Sequence, residues 1–365
     1  MMTPTRRSLM QLGAAAAGLA PASVLAAQST DRRLGYAIVG LGGYADIILP
    51  RFAECRHSRV TALVSGSPEK ARRYAERYGV PERGLYTYET FDTIRDNPDV
   101  DIVYVILPNG MHHEYTLRAA AAGKHVMCEK PMANTADEAE EMIAACRAAG
   151  RKLMIGYRCH FEAANREAMR IARSGEIGRP RVITAEHGFT IGDPTQWRLN
   201  RALAGGGSLM DIGIYSLQAA RYLTGEEPVE VTAVEATDRS DPRFREVEDR
   251  INFQLRFPSG ALANCVSSYG SNHNRFRVVG DKGWVDAEPA TAYSGNRLRR
   301  LTEGRAEDHL VPDTPQNQFS AQLDHLSQCV LTGAEPIVAG EEGLRDMRII
   351  EAIYTSAREH RAVSL

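Results

Sequence analysis

The run Gly40-Leu41-Gly42-Gly43-Tyr44-Ala45 constrains the fold more than any other stretch of this chain. It follows the short apolar segment Tyr36-Ala37-Ile38-Val39 and opens a helix. Its G-x-G-x-x-A spacing lets the backbone turn tightly and brings an anion close to the free N–H groups of the helix N-terminus, where the dipole favours negative charge. The pattern alone is weak. Set between a strand and a helix in the first β-α-β unit, it points to the pyrophosphate of a dinucleotide.

The chain downstream keeps the same rhythm. Val60 to Val64 reads as a second strand and Pro68 to Tyr78 as a helix. Val100 to Leu107, His125 to Cys128 and Lys152 to Ile155 read as further strands, with helices over Thr116 to Ala122 and Asp137 to Ala149. Strands alternating with helices predict a parallel, doubly wound sheet, hence an α/β Rossmann dinucleotide-binding domain over residues 34–155. After Gly156 the pattern changes. Val182 to Phe189, Val229 to Thr237, Ile251 to Phe257, Ala261 to Tyr269 and Arg275 to Val279 read as strands with few helices between, before terminal helices near Asn317 to Leu331 and Glu341 to His360. Residues 156–365 are therefore expected to form an α+β domain with a large, mostly antiparallel open sheet, holding substrate and building the oligomer. An open sheet needs its second face covered, which predicts a homodimer.

A length of 365 residues suits two such domains. Lys+Arg 44 against Asp+Glu 46 gives no electrostatic reason to expect nucleic acid as a partner. Ahead of the first strand, Arg6-Arg7, an alanine-rich apolar run from Leu12 to Leu19, and Val24-Leu25-Ala26-Ala27 occur in order. Residues 1–27 read as a twin-arginine signal peptide, so the expected partner there is the twin-arginine export machinery and the expected location is the periplasm. No later segment approaches the ~20 apolar residues of a membrane span, so no membrane contact is expected of the mature form. The six cysteines (Cys55, Cys128, Cys146, Cys159, Cys265, Cys329) form no C-x-x-C pair, so no metal is expected. Buried free thiols are the expected state, although an oxidising compartment permits a bridge.

The end of the second strand selects the cofactor. A carboxylate at that tip accepts from the ribose 2′-hydroxyl of NAD. Here the run is Val64-Ser65-Gly66-Ser67-Pro68-Glu69-Lys70, with small donors and a lysine in its place, as a 2′-phosphate needs. Glu69 falls inside the next helix, on a solvated face. The cofactor expected is NADP.

Two further stretches carry chemistry. Glu129-Lys130-Pro131 follows a buried strand at the sheet edge where α/β folds bind ligands. A lysine there can hydrogen-bond a sugar oxygen and stabilise developing negative charge. Gly205-Gly206-Gly207 leads into a helix on which Asp211 and Tyr215 are spaced i, i+4 and share a face. Tyr, ionising near pH 10, becomes a base once a cation lowers its pKa, and Lys130 could supply that cation. Spacing alone favours a Tyr215 packed in a core with Asp211 as a helix cap.

These elements together resemble the glucose–fructose oxidoreductase and inositol dehydrogenase superfamily. The resemblance rests on Gly40-x-Gly42-x-x-Ala45, Leu107-Pro108-Asn109 with His112, Glu129-Lys130-Pro131, and the Asp211/Tyr215 helix. Most members carry His where this chain has Tyr215. That Tyr, with Ser65-Gly66, Met154 to His160, Trp197-Arg198-Leu199 and Gln318 to His325, is similar to the glucose–fructose and aldose–aldose oxidoreductase group. The resemblance implies tightly held NADP, oxidation of an aldose at C1 to a lactone, and reduction of a second sugar, aldose or fructose, to an alditol in a ping-pong cycle. It implies Lys130, Asp211 and Tyr215 as catalytic residues. Gly40, Leu41, Gly42, Gly43, Tyr44, Ala45, Ser65, Gly66, Ser67 and Lys70 match dinucleotide contacts. Leu107, Pro108, Asn109, His112, Glu129, Lys130, Arg158, Trp197 and Arg198 match positions around the cofactor and nicotinamide. Lys130, Arg158, Asp211, Tyr215 and Tyr293 would meet the sugar, while His113 and His160 are structural neighbours. A long proline-rich arm follows the signal in glucose–fructose oxidoreductase, whereas only about Gln28 to Arg33 stand there in this chain, so the same tetramer is not expected. The alternatives left open are an NAD(P)-dependent glycoside hydrolase of the same superfamily, an ordinary NADP-dependent aldose 1-dehydrogenase, and a non-catalytic sugar sensor.

Overall fold

The computed structural model describes residues 32–311, 314 and 316–365. The leader over residues 1–27 lies outside the described residues. Strands β1 (Leu34–Val39), β2 (Ser58–Val64), β3 (Leu85–Tyr86), β4 (Ile102–Val105), β5 (His125–Cys128) and β6 (Leu153–Ile155) form a parallel sheet in the order β3-β2-β1-β4-β5-β6. Every residue of β1 and β4 is buried. Helices cover both faces, which is why these strands read as unbroken apolar runs. The strand order reverses between β1 and β4. The crevice at such a reversal opens at the carboxyl ends of the strands, where the Gly40 turn and Leu107 to Asn109 lie.

Local chemistry fixes the helix ends. Ser67 caps Pro68–Tyr78 by accepting from the Lys70 N–H, and Gly79 ends it in the left-handed region at φ 70°. Those bounds coincide with the ones read from sequence. The two-residue β3 was not expected, and neither was the helix Ala163–Ser174 beyond Gly156.

The second sheet holds β7 (Pro180–Gly188), β8 (Glu230–Ala236), β9 (Arg250–Arg256), β10 (Leu262–Ser268), β11 (His273–Gly280), β12 (Trp284–Ala287), β13 (Leu298–Thr302), β14 (Arg305–His309) and β15 (Val363–Ser364). Its order is β14-β13-β12-β11-β7-β10-β9-β8-β15, antiparallel throughout except for β7 beside β10. The inner face, with Ile183, Ala185 and His187 of β7, packs on the helix Ile214–Thr224. On the outer face Leu262, Val182 and Val279 stand side by side across three strands and are exposed. All six cysteines are buried and free. Among the described residues no helix is long and apolar enough to cross a membrane.

Candidate active site

A cleft of about 770 Å³ lies between the carboxyl edge of the parallel sheet and the inner face of the second sheet. Its wall includes Tyr44, Leu107, Asn109, Glu129, Lys130, Arg158, Trp197, Arg198, Asp211, Tyr215 and Tyr293. Residues that the sequence places far apart are thus brought together.

Glu129 and Lys130 leave β5 at this edge. The buried Glu129 accepts from the Tyr104 hydroxyl at 2.5 Å. Burial raises its carboxyl pKa, with Tyr104 and Lys130 pulling the other way. Gly156 leaves room for it: a Cβ there would sit 2.4 Å from Glu129 Oε1. Lys130 Nζ donates to the Asp211 backbone carbonyl and, at 3.2 Å, to Asp211 Oδ1.

Asp211 stands in a π-helical turn, Leu209–Gly213, that runs into the α-helix Ile214–Thr224. Glu248 anchors the start of this turn by accepting from the N–H groups of Gly207 at 2.7 Å and Leu209 at 2.9 Å. A Cβ on Gly207 would lie 2.1 Å from Glu248 O, so the glycine allows the close pass. Asp211 is no helix cap. Its Oδ2 accepts from Arg198 Nε at 2.9 Å and from the Tyr269 hydroxyl at 3.1 Å. Burial would raise its pKa, but Lys130 and Arg198 outweigh it and hold the carboxyl below its usual value.

Tyr215 is 9% exposed, and its ring centre lies 5.0 Å from both Lys130 Nζ and the Arg158 guanidinium carbon. Burial pushes the phenol pKa up, and Arg158 is the leading influence in the other direction. The Lys130 ammonium, equally close to the ring, donates to Asp211. Arg158 is buried and donates to Gln318 Oε1 at 2.7 Å and to the Thr291 carbonyl at 2.6 Å.

Two residues expected around the cofactor, Pro108 and His112, do not line the cleft. His112 is 1% exposed, and its ring nitrogens sit 2.9 Å from the carbonyl oxygens of Pro131 and Leu107. It braces the two loops that carry the cleft residues. His113 pairs with Glu141, and His160 packs on Tyr222 with ring centres 4.1 Å apart. Sequence reasoning missed His187, Phe189, Gln196, Asn272 and Asn274, which also line the cleft. Alternation along β7 was the available signal for His187, which lies on the same strand face as Ile183 and Ala185.

The remaining expected cofactor contacts run along the crevice beyond this cleft. Gly40 has φ 103°, a conformation that favours glycine. A Cβ on Gly42 or Gly43 would meet nothing within 4 Å, and Gly42 provides no side-chain cap for the helix Gly43–Ile48. This open floor at a helix N-terminus fits a pyrophosphate. Leu41 and Ala45 are buried beneath it, and Tyr44 turns into the cleft. At the tip of β2, Ser65 Oγ accepts from the Ser67 N–H at 3.1 Å, with Gly66 and Ser67 exposed and Lys70 partly so. Glu69 is 83% exposed, 3.7 Å from Arg73, and points to solvent. Among the described residues no cluster of His, Cys, Asp or Glu could hold a metal ion.

A dinucleotide crevice that runs into a cleft holding a lysine–carboxylate pair and a tyrosine defines a nicotinamide-dependent oxidoreductase. Residues 34–157 match the sequence model described as oxidoreductase family, NAD-binding Rossmann fold, and residues 165–286 match the GFO/IDH/MocA C-terminal domain. The chain is 33% identical to D-xylose 1-dehydrogenase [NADP(+)] of Haloarcula marismortui, covering 92% of this chain and 94% of that protein. It is 30% identical to 1,5-anhydro-D-fructose reductase of Ensifer adhaerens, covering 84% and 91%. This chain belongs to the GFO/IDH/MocA oxidoreductase family. Among solved structures it is similar to aldose-aldose oxidoreductase from Caulobacter crescentus complexed with glycerol, at 67% identity and a TM-score of 0.91, covering 92% of this chain and 100% of that one.

Proposed function

We propose that this sugar oxidoreductase keeps NADP bound and works as an aldose–aldose or glucose–fructose oxidoreductase in the periplasm. The observation that carries the reading is Tyr215 beside the Lys130–Asp211 pair, in a chain 67% identical to an aldose-aldose oxidoreductase. Bound NADP would accept hydride from one sugar and supply it to the next. Tyr215 takes the proton of the C1 hydroxyl as hydride leaves C1, and a lactone forms. Lys130 hydrogen-bonds the reacting oxygen, and the ionised Asp211 holds the ammonium in place and accepts from sugar hydroxyls. Once the lactone has left, a second sugar enters the same cleft. Tyr215 returns its proton to the carbonyl oxygen, giving an alditol. Loss and gain of hydride in one site give ping-pong kinetics.

The preference for NADP is supported by Ser65, Ser67 and Lys70 at the tip of β2, where no carboxylate stands. The periplasmic location is supported by the Arg6-Arg7 leader. A homodimer is supported by the apolar row on the outer sheet face. The test incubates purified protein, without added nucleotide, with glucose alone and then with glucose plus fructose. Lactone or aldonic acid and alditol form in equal amounts if the reading is right. Product formation only with stoichiometric free NADP makes the protein an ordinary dehydrogenase and overturns it.

A further inference from the structure

Arg158 carries a positive charge into the wall of the cleft with no acidic partner. It is 5% exposed. Its hydrogen-bond acceptors are Gln318 Oε1, the Thr291 carbonyl and, at 3.5 Å, the Ala292 carbonyl, all of them neutral. Its guanidinium carbon lies 5.0 Å from the Tyr215 ring centre and 4.7 Å from that of Tyr293. Among the described residues no carboxylate comes within ion-pair distance of it. A buried cation among neutral groups is costly, and an anion formed beside it removes much of that cost.

The other groups facing Tyr215 do not fill that role. The Lys130 charge is already met by Asp211 Oδ1 at 3.2 Å. Glu129 opposes a second negative charge nearby. Burial keeps the Cys159 thiol and the Tyr44 and Tyr293 phenols protonated. Burial pushes the His187 pKa down to about 3 and keeps the ring neutral; Ser216 Oγ donates to the Val266 carbonyl at 2.9 Å, so the ring proton sits on Nδ1 and is donated to Ser216 Oγ.

We infer that Arg158 is the cation that stabilises the Tyr215 phenolate, a positioning residue that sets how readily Tyr215 accepts a proton. Lys130, with two of its three N–H groups on Asp211, keeps the third for the sugar oxygen. The inference rests on Tyr215 being the acid/base group proposed above, and its test separates the two.

The test places a fluorinated tyrosine at position 215 and follows its ionisation by fluorine NMR, with no sugar present. An opposite charge at this range lowers a pKa by about 1–3 units, so Arg158→Gln is expected to raise the Tyr215 pKa by about that much. That is roughly a 10- to 1000-fold smaller phenolate population at a fixed pH below the pKa. Arg158→Lys restores part of the shift. In unlabelled enzyme the rising, acidic-side limb of the sugar-oxidation pH profile, where the base must lose its proton, moves to higher pH. Gln318→Leu, which only loosens the guanidinium, gives a smaller rise and serves if Arg158→Gln does not fold. An unchanged Tyr215 pKa in these variants, or a larger shift from Lys130→Met, overturns the inference. Normal turnover in Tyr215→Phe, with the Arg158-dependent NMR shift intact, overturns the acid/base role instead.

Discussion

Lys130 and Asp211 form an ion pair at 3.2 Å on the wall of the cleft, and Arg198 closes the other side of the carboxylate at 2.9 Å. The charge of Asp211 is therefore shared between a lysine and an arginine from distant parts of the chain. Asp211→Asn keeps the shape and removes the charge. A hydrogen bond to a charged group contributes about 1.5–3 kcal/mol, so the KM for sugar should rise roughly 10- to 100-fold with folding preserved. Steady-state kinetics and circular dichroism check this, and an unchanged KM refutes the role given to Asp211.

Tyr215→Phe should fold normally and bind NADP as the parent does. Its turnover should fall by the roughly 10²–10⁴-fold expected when an acid/base group is lost. Single-turnover measurement of sugar oxidation, followed through the absorbance of reduced nucleotide, separates this loss from any change in product release.

Nucleotide preference should be decided at the tip of β2. Lys70→Ala should weaken NADP binding about 10-fold and leave NAD binding unchanged, since only NADP carries the 2′-phosphate. Ser65→Asp should move the preference toward NAD by electrostatic repulsion. Titration calorimetry on stripped protein measures both, and equal losses for the two nucleotides would contradict the assignment.

Acid should destabilise the fold well before most carboxylates titrate. Burial lowers the pKa of His160 from 6.5 to about 4 and that of His187 from 6.5 to about 3. Below pH 6.5 the unfolded chain takes up protons that the folded chain refuses. Stability is therefore full above that value and falls as the pH drops toward each folded pKa. The loss approaches about 1.4 kcal/mol per pH unit for each histidine. Thermal unfolding between pH 7 and pH 4 tests it, and His160→Phe should flatten the slope.

The outer face of the second sheet should be the dimer surface. Val182 is 41% exposed and its cross-strand partner Leu262 37%. Val182→Glu with Leu262→Glu should convert a sedimenting dimer to a folded monomer. A parent protein that sediments as a monomer at micromolar concentration sinks the proposal.

The nucleotide-binding half was legible because each of its elements announces itself locally. Pro68–Tyr78 begins at a serine cap with proline behind it and stops at glycine, so its limits could be read directly. β3, only Leu85–Tyr86, is too short to show any period. The hairpin of β13 and β14 was missed because LRRLT and RAEDH lack apolar alternation, Leu298 alone of their residues being buried. Ala163–Ser174 did carry a helical stripe, with Ala164, Ala168, Ile171 and Ala172 buried, but small residues make it faint. In the site, Lys130, Asp211 and Tyr215 could be singled out because each sits in a recognisable run. Gln318 as the partner of Arg158, and His187 beside Tyr215, follow from contacts across 160 and 28 residues that no local pattern encodes.

The π-helical turn Leu209–Gly213 gives the site a sensitivity to chain length. One residue removed from that turn would let the segment relax into continuous α-helix. At 3.6 residues per turn, everything on one side of the deletion would rotate by about 100° relative to the other. Asp211 would then face away from Lys130 while Tyr215 stayed in the cleft. A single-residue deletion in the turn should therefore abolish the reaction proposed for the site even with every side chain of the cleft still present. The register of the turn is what holds Asp211 against Lys130.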